Sequence, residues 1–184
     1  MLQHLNLNGT WRARWSDGMR GRTEYAERDE TDSARYLDVT VPGEIHLDVM
    51  KAGWIQDPYV GINCLAARWV EECIWSYRRE FEAPAGALSA SRAWLYFQGL
   101  DLVAQIVLNG QKIGRHSNSF YPCRVDVTGK LRPGRNILAV HLDAGIFDAC
   151  DKPFEGYNVS WDAKLHKRHW LRKPQSQFSW DWSP

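Results

Sequence analysis

Apolar and polar residues alternate in short segments along this chain, and the clearest segment covers residues 74–81. Alternation at most of these positions predicts a strand with one buried face. The residues predicted to point one way are Trp75, Tyr77 and Phe81, and those predicted to point the other way are Ser76, Arg78 and Glu80. The other predicted strands cover residues 10–15, 36–41, 93–97, 102–108, 111–113, 121–127 and 136–142.

One segment has a helical rather than a strand period. Ile45, Val49 and Ala52 are spaced to form one apolar stripe of a helix over 44–52, and Gly53 stands where a C-terminal cap belongs. We expect this to be the one short helix. Residues 54–63, rich in Pro, Gly and Asn, are predicted to form an ordered loop, and residues 143–164 a long surface excursion.

Short strands at turn-marked intervals predict an all-β fold. Asn109-Gly110 is a tight hairpin signal, and a turn around Pro133-Gly134 precedes the last strand. With seven or eight such strands, we predict a single domain over 1–184, an antiparallel β-sandwich of the jelly-roll type.

Composition narrows the classes of function. The net charge is +1, which gives no support to nucleic-acid or membrane-surface binding. The amino terminus lacks a basic region followed by an apolar run, and the four cysteines show no C-x-x-C spacing, so we expect reduced thiols and a cytoplasmic location. Ten tryptophans suit either stacking on flat ligands or a large β core.

The common catalytic and cofactor motifs are absent. The sequence has no G-x-S-x-G, no phosphate-binding G-x-x-x-x-G-K-[ST] and no H-E-x-x-H. His166 and His169 are three residues apart, but without a third ligand of suitable spacing they are interpreted as part of a solvated basic segment. We therefore predict no cofactor and no metal site, and we identify no catalytic residue.

The terminal stretch 172–184 contains the most unusual chemistry. Its Trp180-Asp181-Trp182 unit combines two indoles, which pack on sugar C–H faces, with a carboxylate that accepts hydrogen bonds from hydroxyls. In a regular strand Asp181 would face away from both indoles, so a joint site requires the backbone to leave the pleat. The alternative is that both indoles are core and Asp181 is a solvated acid.

The order of motifs resembles the amino-terminal sugar-binding domain of family 2 glycoside hydrolases, and within that family the β-mannosidases. Nearly the whole chain takes part, and its most specific motifs are the terminal Phe-x-Trp-Asp-Trp-x-Pro and the upstream Asp-Pro-Tyr. The matching segments are 9–11, 41–46, 57–59 with Asn63, 68–70, 75–81, 98–101, 108–110, 118–120 and 172–184.

The resemblance implies a jelly-roll domain that precedes an immunoglobulin-like domain and a (β/α)₈ barrel carrying two catalytic glutamates, one in an Asn-Glu pair. This chain contains no Asn-Glu pair, so it is expected to be an inactive fragment of an enzyme cleaving terminal β-mannosides. Whether that enzyme is a homo-oligomer stays open. By resemblance, Asp181 would accept hydrogen bonds from the terminal sugar, Trp180 or Trp182 would wall its pocket, and Asn63 would lie nearby. Asn63 could equally cap its own loop.

Serines occupy two positions at which the family usually has glycine. Ser179 and Ser183 flank the Trp-Asp-Trp unit. If those glycines adopt positive φ, each serine costs about 1 kcal/mol or imposes another loop shape.

Two other interpretations of the chain stay open. It could be an independent carbohydrate-binding module that stacks sugars on its aromatic residues, or its tryptophans could form a packing or dimerisation surface.

Overall fold

The computed structural model describes residues 3–17, 36–153 and 165–177. Within these ranges eight strands form two antiparallel sheets, which confirms the predicted fold class. The strands are β1 (Gly9–Asp17), β2 (Leu37–Val41), β3 (Cys73–Glu82), β4 (Trp94–Phe97), β5 (Val103–Leu108), β6 (Gln111–His116), β7 (Cys123–Asp126) and β8 (Arg135–Asp143).

The eight strands are divided unequally between the sheets. Six lie in one sheet in the order β2-β1-β3-β8-β5-β6, and β4 pairs with β7 in the other. The main core lies between the sheets, because Leu95 and Val125 of the small sheet belong to the same buried cluster as Ile106 and Val140 of the large one. The sandwich is therefore a six-plus-two arrangement rather than two equal sheets.

The predicted helix is confirmed as α1 (Ile45–Lys51), and its end has the predicted glycine cap. Gly53 has a φ of +76° and its N–H donates to Met50 O at 2.9 Å, while Trp54 N–H donates to Val49 O at 2.9 Å. This pair of bonds is the Schellman motif. It fixes the direction in which the chain leaves the helix at Trp54.

The structure contains more helical turns than the one predicted. Three further α-helices are α2 (Asn63–Ala67), α3 (Ala85–Leu88) and α4 (Ile146–Ala149), and 3-10 helices cover Arg68–Val70, Leu165–Trp170 and Gln175–Gln177. Each has at most six residues, too few to display a helical period in sequence. In the part of the chain that the structure describes, no helix is long and apolar enough to cross a bilayer.

Helix α4 packs at the end of β8, and one side chain holds its first turn. Asp143, which is buried, accepts hydrogen bonds from the backbone N–H groups of Gly145 at 2.8 Å and Asp148 at 3.0 Å. Asp148 is also ion-paired with Arg115 of β6. The start of the predicted surface segment over 143–164 is thus ordered against the sheet. None of the four cysteines, all of which the structure describes, forms a disulfide: Cys64, Cys73, Cys123 and Cys150.

Candidate functional site

The loop between α1 and α2 is ordered by one aspartate. Asp57 Oδ1 accepts the backbone N–H of Tyr59 at 2.9 Å, and the Asp57 carbonyl accepts the N–H of Val60 at 3.2 Å and Asn63 Nδ2–H at 3.0 Å. Asn63 N–H donates in turn to Val60 O at 3.2 Å. The loop therefore closes on itself around Asp57, in agreement with the prediction of an ordered loop.

Asn63 is the first residue of α2 and is half-buried. Its amide braces the Asp57 turn, which is the local role that the sequence allowed for it. An asparagine amide offers a second donor and a carbonyl oxygen, so this brace does not use all of its capacity. Contact between Asn63 and a sugar stays a prediction.

The loop and the first turn of α2 expose several large apolar side chains. Four of them, close together in the sequence, are more than half exposed: Tyr59 76%, Val60 59%, Ile62 76% and Leu65 62%. Exposed apolar groups that gather in one patch are typical of interaction sites. The residue pattern predicted an ordered loop here but not these exposed side chains.

Beside the loop, tryptophans line an open cavity of about 420 Å³. Its walls are Trp15 at the end of β1, Trp54 after the Schellman motif, Trp69 and Cys73. Trp15 and Trp54 are 49% and 45% exposed, and the Trp15 and Trp69 ring centroids lie 5.9 Å apart at 64°. Indole faces presented in this way can stack on the C–H face of a sugar or cover an apolar group. The abundance of tryptophan was the one sequence signal for this cavity, which was not predicted.

A second cavity, of about 440 Å³, lies at the other end of β1 and is rich in guanidinium groups. Arg78 contacts Glu80 at 3.2 Å, and Arg79 Nη1–H donates to Thr10 O at 2.9 Å. A hydrogen bond from Arg135, more than the nearby charges, holds the pKa of Glu80 below its usual range. The arginines of this cavity thus make ion pairs and hydrogen bonds within the fold.

The predicted residues Trp180, Asp181 and Trp182 lie outside the described residues, which end at Gln177. Their roles stay predictions, as does the departure from strand geometry that they would need. The described start of the predicted 172–184 loop is firmly attached, because Arg172 O accepts the backbone N–H of Ser119 at 2.9 Å and Lys173 Nζ pairs with Asp101 Oδ2 at 2.9 Å.

No group of three or more potential metal ligands occurs within 3–17, 36–153 and 165–177. The side chain of His169 lies beside Trp170, with ring centroids 5.6 Å apart. The interpretation of His166 and His169 as part of a solvated basic segment stays a prediction.

Comparison with known proteins identifies the domain. The family model described as glycosyl hydrolase 2 galactose-binding domain-like matches residues 23–184. The chain is 37% identical over 164 residues to "Beta-mannosidase B" of Thermothelomyces thermophilus, an alignment covering 88% of this chain and 19% of that protein.

Solved structures give the same result. The crystal structure of a β-D-mannosidase from Dictyoglomus thermophilum matches 98% of this chain and 20% of its own, with a TM-score of 0.77 and 32% identity. A β-glucuronidase from an uncultured Clostridium species matches 78% of this chain and 24% of its own, with a TM-score of 0.53 and 25% identity. The chain spans about a fifth of the length of the relatives that it matches. It belongs to the glycosyl hydrolase 2 galactose-binding domain-like family.

Proposed function

We propose that this chain is the amino-terminal sugar-binding domain of a longer retaining glycosidase that hydrolyses terminal β-mannosides. The observation that carries the proposal is the match to the Dictyoglomus thermophilum β-D-mannosidase, which extends over 98% of the chain at a TM-score of 0.77. The match to the β-glucuronidase is shorter and has a lower TM-score, 0.53. These two results favour a mannoside over a glucuronide.

In this proposal the domain binds and orients the sugar but breaks no bond. Asp181 accepts hydrogen bonds from hydroxyls of the terminal sugar, while Trp180 and Trp182 cover its C–H faces and exclude water. The two catalytic carboxylates of a double displacement would come from another part of the longer protein. The braced Asp57–Asn63 loop, with its exposed apolar side, is suited to lie against that part.

The first test compares two lengths of protein. The protein at its full natural length should hydrolyse an aryl β-mannoside, and residues 1–184 alone should be folded and inactive. An aryl β-glucuronide and an aryl β-galactoside, assayed in parallel, test the choice of sugar. Hydrolysis by residues 1–184, or a preference for the glucuronide, contradicts the proposal.

The second test addresses Asp181 directly. Hydrogen bonds to a charged group contribute about 1.5–3 kcal/mol, so Asp181→Ala should lower kcat/KM for the β-mannoside by about 10- to 100-fold without changing the melting temperature. Asp151→Ala removes an exposed carboxylate of the same type and is the matched control. Equal activity of the two variants would exclude contact between Asp181 and the sugar.

A second candidate function is supported by the tryptophan cavity. The open indoles of Trp15 and Trp54 would allow the chain to act as an independent carbohydrate-binding module. In that case residues 1–184 alone should bind mannose or manno-oligosaccharides, as measured by tryptophan fluorescence. Trp54→Ala should then abolish the binding, while Asp181→Ala should leave it unchanged.

A further inference from the structure

Three consecutive residues at the start of the terminal segment are each held by a different part of the fold. The first is Leu171, which is 8% exposed and packs in a small cluster with Leu102 and Ala149. Gly145 leaves room for it, because a Cβ built at Gly145 would lie 2.6 Å from Leu171 Cδ2. Gly145 also has a φ of +110°, which side-chain-bearing residues rarely adopt. The seat for Leu171 is therefore specific.

The second residue is held through its backbone. The carbonyl of Arg172 accepts two hydrogen bonds from Ser119, one from the backbone N–H at 2.9 Å and one from the hydroxyl at 3.1 Å. Asn118 shapes the turn that presents Ser119, since its Oδ1 accepts the N–H of Phe120 at 3.0 Å. His116 Nε2 lies 2.5 Å from the Asn118 carbonyl and ties the turn to the end of β6.

The third residue is held by an ion pair. Lys173 Nζ lies 2.9 Å from Asp101 Oδ2, and the Lys173 side chain is only 10% exposed, whereas that of Asp101 is 44% exposed. A lysine ammonium that is largely removed from water needs a charged or hydrogen-bonding partner. Asp101 is well placed to be this partner, because its neighbours Leu100 and Leu102 are buried, at 9% and 1% exposure, and fix the backbone on both sides.

We propose that Asp101 and Ser119 are positioning residues, which fix the direction in which the terminal segment leaves the domain and so set the place of Asp181 at the sugar. This inference rests on the proposed function. Asp181 follows Lys173 by only eight residues in the sequence, and the described part of that stretch includes the 3-10 turn Gln175–Gln177. Neither residue is proposed to touch the sugar. Asp101 and Ser119 lie in the segments 98–101 and 118–120, which contributed to the family resemblance. The proposal gives these two segments a function.

The attachment can be tested in residues 1–184 without any assay of activity. Trypsin cleaves after Arg172 but not after Lys173, because Pro174 follows, so release of the peptide 173–184, measured by mass spectrometry, reports on this base. Asp101→Asn should release the peptide about tenfold faster. Ser119→Ala, which keeps the backbone hydrogen bond, should release it about two- to threefold faster. Glu82→Gln, a matched change at an exposed carboxylate at the end of β3, should leave the rate unchanged.

The thermal melting curve of each variant separates local release from unfolding of the domain. Faster release at an unchanged melting temperature supports the attachment. If Asp101→Asn also lowers the melting temperature, the test depends on Ser119→Ala, which keeps the backbone hydrogen bond to Arg172. Release at the wild-type rate from both variants overturns the proposal, whatever the protein's activity.

The effect on function is tested by combining variants in the protein of natural length. Asp101→Asn should lower kcat/KM for an aryl β-mannoside about tenfold, but clearly less when Asp181 has already been replaced by Ala, since only the indoles of Trp180 and Trp182 are then left to place. A merely structural role for Asp101 would give the same loss in both backgrounds. If Asp181→Ala has no effect, the proposed function fails. If Asp181→Ala lowers activity and Asp101→Asn does not, the positioning role alone fails.

Discussion

The two faces of the six-stranded sheet are both partly buried, but they are built from opposite chemistry. On the inner face one row across the strands holds Ala13, Ile106 and Val140, which are 0%, 0% and 3% exposed. The adjacent row points outward and holds Arg14, Ser76 and His141. Arg14 and Ser76 are also buried, at 8% and 6% exposure. Burial alone therefore does not distinguish the core face of this sheet.

The two rows are stabilised in different ways. The inner row contributes by removing apolar surface from water and by close packing. The outer row has to satisfy its polar groups instead, and Ser76 Oγ and His141 Nδ1, 2.7 Å apart, share a hydrogen bond. Stability should thus depend on side-chain volume at inner positions and on protonation in the outer row.

The largest effect is expected on the inner face. Ile106→Ala should lower the free energy of unfolding by about 2–5 kcal/mol, because the deletion leaves a cavity between two packed sheets. Urea unfolding of residues 1–184 measures the change. Lys112→Ala, on exposed β6 surface, is the control and should stay within about 0.5 kcal/mol of the wild type. A small loss for Ile106→Ala would mean that the sheets are not closely packed here.

An intermediate effect is expected on the outer face, through pH. Burial, with a smaller contribution from the nearby Arg14 charge, lowers the pKa of His141 to about 4 from an ordinary value near 6.5. Between those values the unfolded chain binds a proton at this histidine that the folded chain does not, so stability falls as pH falls. From pH 7 to pH 4 the His141 contribution should cost on the order of 3 kcal/mol at most.

Replacing the imidazole tests this assignment. His141→Gln cannot titrate in this range, so the free energy of unfolding, measured in urea at several pH values, should depend less on pH below 6.5. His4→Gln changes an exposed histidine near the amino terminus and should preserve the wild-type dependence. If the free energy of unfolding changes with pH equally in both variants, groups other than His141 cause the loss of stability in acid.

The contrast between the faces also shows how far the sequence could be interpreted. Alternation over 74–81 correctly separated Trp75 and Tyr77 from Ser76 and Arg78, as the strand register confirms. It gave no indication that Ser76 is buried, because a polar residue has the same place in the pattern whether it faces water or a buried partner. That distinction depends on His141, which lies 65 positions along the chain from Ser76.

The short helices were missed for a related reason. Helix α4 has four residues, Ile146–Ala149, and its start is set by Asp143 and by the positive φ of Gly145. A single turn cannot show a period of 3.6 residues, and Asp143 was interpreted only as the beginning of a long loop. Helix α1 was found because seven residues and a glycine cap suffice for a pattern.

For the candidate site, the residues were predictable from the sequence, whereas the contacts that hold two of its segments come from the structure. Motif order led to Asn63 and to the terminal unit with Asp181, but spacing could not show that Asn63 braces Asp57. Nor could it show that Asp101 and Ser119 hold the base of the terminal segment, since both contacts join distant parts of the chain. The tryptophan cavity is likewise assembled from separate elements.

The smallest effect is expected where the outer face is open to water. Glu80 accepts two hydrogen bonds from Arg135, at 2.7 and 2.6 Å, and lies 3.2 Å from Arg78, but its side chain is 49% exposed. Exposed ion pairs contribute about 0.2–1 kcal/mol, so Glu80→Gln should lower the free energy of unfolding by no more than this. The loss should shrink in 1 M salt, because salt screens ion pairs that are open to water. A loss of more than 2 kcal/mol in the free energy of unfolding would mean that Glu80 behaves like a buried polar residue such as Ser76. The expected difference between the exposed and the buried polar groups of the outer face would then be wrong.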